Sequence, residues 1–397
     1  MTKLIDITGK ALAGEWGNDD ETGTGIPVLR TTNFTNEGVV NYDSVVTRSI
    51  TKKNIEDKFL CPGDIIIEKS GGSDKQPVGR VIFYEGPENT FLFNNFTGVL
   101  RVKDKSKWFS RYVFYSLYSN YRRGGTRAFE NKTTGLHNLK TDDYVSRFEV
   151  VDANYCEQKS ICNILDKATE IIRARQQQLS ALDDLIKARF VEMFGDPLLN
   201  PMNWKEEKLE EIADIVSGIT KGRKVQSTDL YEVPYMAVSN VKDGYIDWTT
   251  VKTILATQAE IDQYRLLPND VLMTEGGDPD KLGRGALIHE PPSDCIHQNH
   301  IFRVRLDQSR ITPEFMGQYL QHQKAKRYFL GCAKQTTGIA SINMKQLRAL
   351  PMLMPPIGLQ REFAAFVAQI DKSKSVIQKS LDETQLLFDG LMQQYFG

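Results

Sequence analysis

Two glycine-rich segments carry the residues best suited to gripping an anionic polymer. The first reads Glu68-Lys69-Ser70-Gly71-Gly72-Ser73-Asp74-Lys75-Gln76-Pro77-Val78-Gly79-Arg80. The second reads Thr274-Glu275-Gly276-Gly277-Asp278-Pro279-Asp280-Lys281-Leu282-Gly283-Arg284. Paired glycines let backbone approach a partner closely, and Lys and Arg supply phosphate or guanine contacts. Lys69, Ser70, Gly71, Gly72, Lys75, Arg80, Glu275, Lys281 and Arg284 are therefore candidates for DNA contact. A single such segment reads equally well as a long surface hairpin; its recurrence favours contact. Neither is a P-loop, because the G-K-[ST] ending is missing.

Cations cluster in two further places. Residues 101–140 hold ten Lys or Arg against Asp104 and Glu130, and residues 321–350 hold six with no acid. Cations beside hydroxyl and amide residues suit phosphate anchoring with some base reading. This adds Arg122, Arg123, Arg127, Lys132, Thr133 and Thr134 from the first stretch, and Lys334, Gln335, Thr336 and Thr337 from the second. Lys221, Arg223, Lys224, His297 and Asn299 complete the candidate DNA-binding set.

Catalytic readings fare worse. His289, Cys295, His297 and His300 match no compact zinc spacing, and the aligned segment Phe91 to Gly98 lacks such ligands; strand histidines facing a polar groove are the expectation. Asp64 with Glu68, and Asp270 with Glu275, resemble nuclease carboxylates, but the Lys expected two residues on is Ser70 or Gly277. No adenine-methyltransferase, G-x-S-x-G or dinucleotide motif occurs. The expectation is a binder without catalysis, metal or cofactor.

At 397 residues, with 40% apolar and 25% charged content, the chain is expected to fold as two or three globular domains. No run of eighteen apolar residues predicts a membrane span, and MTKLIDITGK lacks a signal-peptide core. Five dispersed cysteines without a C-x-x-C pair point to a reducing cytoplasm.

What must position the candidate residues is a duplicated framework. From Tyr155 to Phe194 no Gly or Pro occurs, and Leu165, Ile172, Leu179, Ile186 and Met193 repeat every seven residues. This predicts a helix roughly 55 Å long with a stripe that needs a helical partner. The last forty residues supply it: Gln158 falls on Gln360, Phe194-Gly195 on Phe396-Gly397, and Val367, Ile370, Ile377, Leu381 and Phe388 continue the packing rows. Earlier landmarks recur in the same order. Ile26-Pro27 leading to Asn33 matches Val233-Pro234 leading to Asn240, and Pro62-x-Asp64 matches Pro268-x-Asp270. Leu100-Arg101-Val102 is matched with Phe302-Arg303-Val304, and Thr133-Thr134-Gly135 with Thr336-Thr337-Gly338. Short β-branched runs (Ile26–Leu29, Ile65–Ile67, Val81–Tyr84, Phe91–Phe93, Val99–Val102) predict strands of a mixed sheet. Trp108–Tyr121 and Pro313–Phe329 predict helices, and Thr141–Val151 an extended run. The fold class is α+β: two similar mixed α/β domains, 1–155 and 198–356, separated by two long antiparallel helices, 156–197 and 357–397, with pseudo-two-fold order.

Together these features resemble the specificity subunit of type I restriction-modification enzymes. The resemblance rests on the two-fold repeat, the P-x-D leading to strand and glycine-rich loop, the T-T-G near each unit's end, and Glu157-Gln158-Lys159 and Leu359-Gln360-Arg361 opening helices that close with Phe-Gly. It implies two target-recognition domains, each reading half of a split double-stranded DNA sequence, with the helices as spacer. It also implies assembly with two methyltransferase subunits and, for cleavage, restriction subunits; the chemistry belongs to those partners. A non-catalytic nucleic-acid-binding scaffold outside restriction-modification is the alternative.

Overall fold

The computed structural model describes the backbone of residues 1–133, 136–224, 229–277, 282–336 and 339–397, and within these the side chains of all but 132, 133, 136, 334–336 and 339. The chain divides into two compact units: residues 1–176 with 379–397, and residues 177–378. Four helices matter most here: α1 (Ser110–Arg122), α2 (Tyr155–Phe194), α3 (Pro313–Gln321) and α4 (Ile357–Phe396). The fold is mixed α/β, and each unit repeats one plan.

In unit one a four-stranded antiparallel sheet runs in the order Leu12–Ala13, Thr97–Leu100, Ile65–Glu68, Val81–Phe83. In unit two the order is Ala213–Ser217, Ile301–Leu306, Val271–Thr274, Gly285–Leu287. Ile65–Ile67 and Val271–Met273 are unbroken apolar runs because both faces of their strands are covered. Ile65 and Ile67 face a core shared with α1 and the long helices, whereas Ile66 faces a second core under a neighbouring sheet. Val271, Met273 and Leu272 divide the same way. The neighbouring sheet ends in a parallel pair in both units, Val28-Leu29 against Leu92-Phe93 and Tyr235-Met236 against Ile296-His297.

The long helices pack within each unit. In unit one Cys162, Leu165, Ala168 and Ile172 share a core with Phe388, Met392 and Phe396. In unit two Ile186, Phe190 and Phe194 share one with Phe363, Val367 and Ile370. The first half of α2 thus meets the second half of α4 and the reverse, the antiparallel order that the heptad rows require. Leu179, Met193, Ile377 and Leu381 are partly buried. Arg189 lays its guanidinium over Phe366.

A buried amide ties each long helix to its unit. Gln158 Oε1 accepts from Phe109 N at 2.8 Å, and its Nε2 donates to Lys107 O and Ala153 O. Gln360 Oε1 accepts from Thr312 N at 2.9 Å, and its Nε2 donates to Arg310 O and Pro355 O. A second repeated contact anchors the strands. Arg101 grips Asp64 through Nε and Nη2 at 2.8 and 2.7 Å, and Arg305 grips Asp270 through the same atoms at 2.8 Å each. Both aspartates also accept the backbone N–H three residues upstream. These carboxylates are structural.

That geometry corrects the register of the repeat: Arg101 corresponds to Arg305, not Arg303. A slip of two residues leaves the face of every strand side chain unchanged, so alternation alone cannot detect it. Two element assignments also change. Thr141–Arg147 is a helix, not an extended run; Asp142 and Asp143 sit in its first turn, where carboxylates favour helix, and Tyr144 and Val145 are buried. The run Pro313–Phe329 is two helices, broken at His322, which is extended and whose ring accepts from Lys324 N, capping Gln323–Cys332.

Replacing Gln360 by Ala strands the buried Thr312 N–H and two carbonyls. It is expected to cost about 3 kcal/mol, measured by chemical denaturation, whereas Gln369→Ala on the exposed face stays within about 0.5 kcal/mol.

Candidate nucleic-acid interface

The glycine-rich segments and the basic hairpins lie far apart in sequence, yet they form one small sheet in each unit. In unit one Ser70–Gly72 pairs with Leu136–Leu139, which pairs with Glu130–Thr133. In unit two Gly276–Gly277 pairs with Ile339–Ser341, which pairs with Lys334–Thr336. The sequence reading placed both features at DNA separately; the fold puts them on one surface.

Local chemistry explains the composition. A Cβ on Gly72 would lie 2.5 Å from Val78 N, and Gly71 has φ +120°, so side chains are excluded where the loop turns back. Glu130 closes that turn: its Oε1 accepts from Val78 N at 3.0 Å and its Oε2 lies 3.3 Å from His137 Nδ1. Lys69 stands half-buried at the base of the sheet, and burial pulls its ammonium below the usual lysine range. Glu68 beside it is almost fully buried; burial pushes its carboxyl up, against the pull of Arg80.

Several expected contact residues sit at or near this surface. Lys75 and Arg127 are exposed, and Arg127 Nη2 donates to Asp74 O at 3.2 Å. Glu275 accepts His300 Nδ1–H at 2.5 Å. Lys221 and Lys224 are exposed, Asn299 is half-buried with its N–H on Ile219 O, and Arg284 is half-buried. Lys281, Thr134 and Thr337, and the side chains of Lys132, Thr133, Lys334, Gln335 and Thr336, lie outside the described residues.

Other candidates are held elsewhere. Arg80 donates to Thr31 O and Phe34 O and pairs with Glu68. Arg122 pairs with Asp389, and Arg123 donates to Phe396 O, a carbonyl at the C-terminal end of α4 where cations are favoured. Arg223 is bound by both oxygens of Glu260. His297, expected in a polar groove, is fully buried, with its ring nitrogens 3.1 Å from Tyr264 O and 3.4 Å from Val216 O. Its counterpart in unit one is Phe93, so it fills a core position. Two rings escaped the sequence reading as contact residues. Lys69 N and Ser70 N donate to Phe96 O, and Glu275 N donates to His300 O, so Phe96 and His300 occupy the same place beside the glycine-rich strand. Both are more than half exposed. An aromatic directly after Asn94-Asn95, and a histidine after Asn299, were the available signals.

The chain is similar to proteins of known family. Residues 201–384 match the type I restriction modification DNA specificity domain. The chain is 23% identical over 386 residues to the EcoKI specificity subunit of Escherichia coli, covering 93% of this chain and 80% of that one. It is 25% identical over 198 residues to a putative MjaX specificity subunit of Methanocaldococcus jannaschii, covering 49% of this chain and 46% of the relative. The S subunit of a type I system from M. genitalium superposes over 100% of this chain and 95% of its own, with a TM-score of 0.57 at 17% identity, which establishes the shared fold.

Burial lowers His297 to about 4 from its usual 6.5, against the weaker pull of its hydrogen bonds to Tyr264 O and Val216 O. The unfolded chain therefore binds an extra proton between these values, and stability falls as pH drops through that window. His297→Phe, the residue type unit one carries, is expected to remove a loss of the order of 3 kcal/mol from denaturation curves taken between pH 7 and 4.

Proposed function

We propose that this chain, which belongs to the specificity-subunit family of type I restriction-modification enzymes, reads a bipartite double-stranded DNA target. Each unit takes one half-site, and the chain directs partner methyltransferase and restriction subunits that carry the chemistry. The observation that supports this most strongly is the recurrence of one surface. The same three-stranded sheet, glycine-rich strand and exposed ring occur twice, on frameworks held by the same Gln and Asp–Arg contacts. A two-part ligand calls for two like readers, and DNA presents its grooves again every helical turn of about 34 Å.

In each unit the flat glycine backbone approaches the duplex. Lys75 and Arg127 in unit one, and Lys221 and Lys224 in unit two, neutralise phosphates. Phe96 and His300 lie against sugar or base edges. Lys69, with its ammonium partly desolvated, forms a stronger contact than a fully hydrated lysine. The helices set the spacing between half-sites. Their outward faces carry exposed apolar residues, Ile164 and Ile171 on one segment and Leu185 on another. Such faces suit docking of helices from the methyltransferase subunits, two per chain in the family's arrangement.

Gel-shift titration of the complex with its methyltransferase subunit is expected to show affinity falling with salt, with a log-log slope of about −0.9 per phosphate contact. Arg127→Ala should make that slope about one unit shallower on every sequence. Phe96→Ala should weaken the specific target by about tenfold and nonspecific DNA much less. Salt-insensitive binding, or full affinity for one half-site alone, would sink the reading.

A further inference from the structure

The two units share a framework but differ at one groove. Phe109 and Thr312 donate their N–H groups to the paired glutamines, so α1 and α3 occupy equivalent places and can be read position by position. Phe114 then matches Gly317, Tyr115 matches Gln318, Tyr118 matches Gln321, and Arg111 matches Glu314. In unit one the three rings are buried, at 4%, 3% and 8% exposure. Tyr115 Oη donates to Asp166 at 2.5 Å, Arg111 joins the same carboxylate at 2.7 Å, and Tyr118 Oη donates to Asn36 O at 2.9 Å. The space left beside them is about 250 Å³.

Unit two has none of these fillers. Asp166 corresponds to Ala368, so the ion pair that closes unit one has no equivalent. A cleft of about 900 Å³ opens between α3, the 243–248 turn and the long helices. A Cβ added to Gly317, on its wall, would meet nothing within 4 Å. The floor is apolar, with Ile186, Val367, Leu287 and Trp248. The lining also carries Asp183, Asp243, Glu290, Glu314 and Asp371 against Lys187 and Lys374. Lys374 pairs with Asp183 at 2.6 Å and lies 3.9 Å from Asp371, Lys326 pairs with Asp243 at 3.2 Å, and Lys187 turns to Asp184 at 3.0 Å, so Glu290 and Glu314 supply the acidic surplus of the groove. Tyr245, 61% exposed, stands at its edge.

We infer that this groove is a docking site for a basic segment of a protein partner, one that inserts an apolar side chain between Trp248 and Val367 and sets Lys or Arg against Glu314 and Glu290. Charge decides the class of occupant. A carboxylate-lined cleft repels phosphates, so it is not an extension of the DNA surface. Because unit one fills the equivalent place with its own aromatics, among the described residues the groove belongs to unit two, and a partner with this segment docks on that unit. This holds whether or not the glycine-rich sheets bind DNA.

The test uses the full chain and a fluorescent peptide, acetyl-KLKKLWKK-amide, followed by anisotropy. Binding is expected to saturate at one peptide per chain and to weaken with salt. Gly317→Phe with Gln321→Tyr, which installs unit one's side chains, should weaken it at least tenfold. Glu314→Gln with Glu290→Gln, which leaves the volume open, should weaken it several-fold, so a folding defect in the filled variant cannot mimic the result. Two peptides per chain, unchanged binding by both variants, equal binding of the glutamate-for-lysine peptide, or displacement by a mixed-sequence DNA duplex would each overturn the assignment.

Discussion

The structure depends on two buried amides. Gln158 and Gln360 each bridge a strand-to-helix turn and the start of a 40-residue helix, with an acceptor and two donor contacts apiece. A long helix held only by an apolar stripe can rotate or slide against a sheet, since apolar contact is non-directional. A buried carboxamide cannot: moving it leaves backbone groups without partners at a cost of about 1–3 kcal/mol each. These contacts therefore fix the phase of each helix start relative to the sheet of its own unit, a property that the proposed reading of two spaced half-sites requires.

Around this constraint the two units keep what positions a reader and vary what reads. The Asp–Arg pairs, the Asn33 and Asn240 side chains that bridge their turns, and the split of each central strand between two cores are common to both. The positions on and beside the glycine-rich strand differ. Lys69 stands where unit two has Glu275, and Phe96 where it has His300. Two scaffolds of one design carrying different residues at the proposed contact positions are what recognition of an asymmetric, two-part sequence calls for. The groove beside α3 shows the same divergence turned toward a protein partner.

Much of the framework was legible in the sequence because it is written in spacing. The heptad rows, the repeated Gln and the P-x-D before each strand fixed the order of elements and the pairing of the long helices. What was not legible follows from physics that spacing does not encode. The shift of Arg101 onto Arg305 needed the partner carboxylate, since strand alternation has a period of two. His297 looked like a polar groove residue until its position proved to be that of a core phenylalanine. Arg80, Arg122, Arg123 and Arg223 had the charge expected at DNA, but each meets a carboxylate or a carbonyl contributed by residues distant in sequence. Conversely, the joining of glycine-rich strand and basic hairpin into one sheet is a long-range pairing that no local pattern announces.

Two like surfaces, joined by long helices, are proposed to read two halves of one target. The most direct measurement is a base-resolution map of methylated positions in DNA from cells expressing this chain with its methyltransferase partner. Marks are expected within a motif of two fixed parts separated by a spacer of constant length. Exchanging residues 1–155 for those of a relative is expected to change one part and leave the other. An unsplit motif, or an exchange that alters both parts, would contradict that reading.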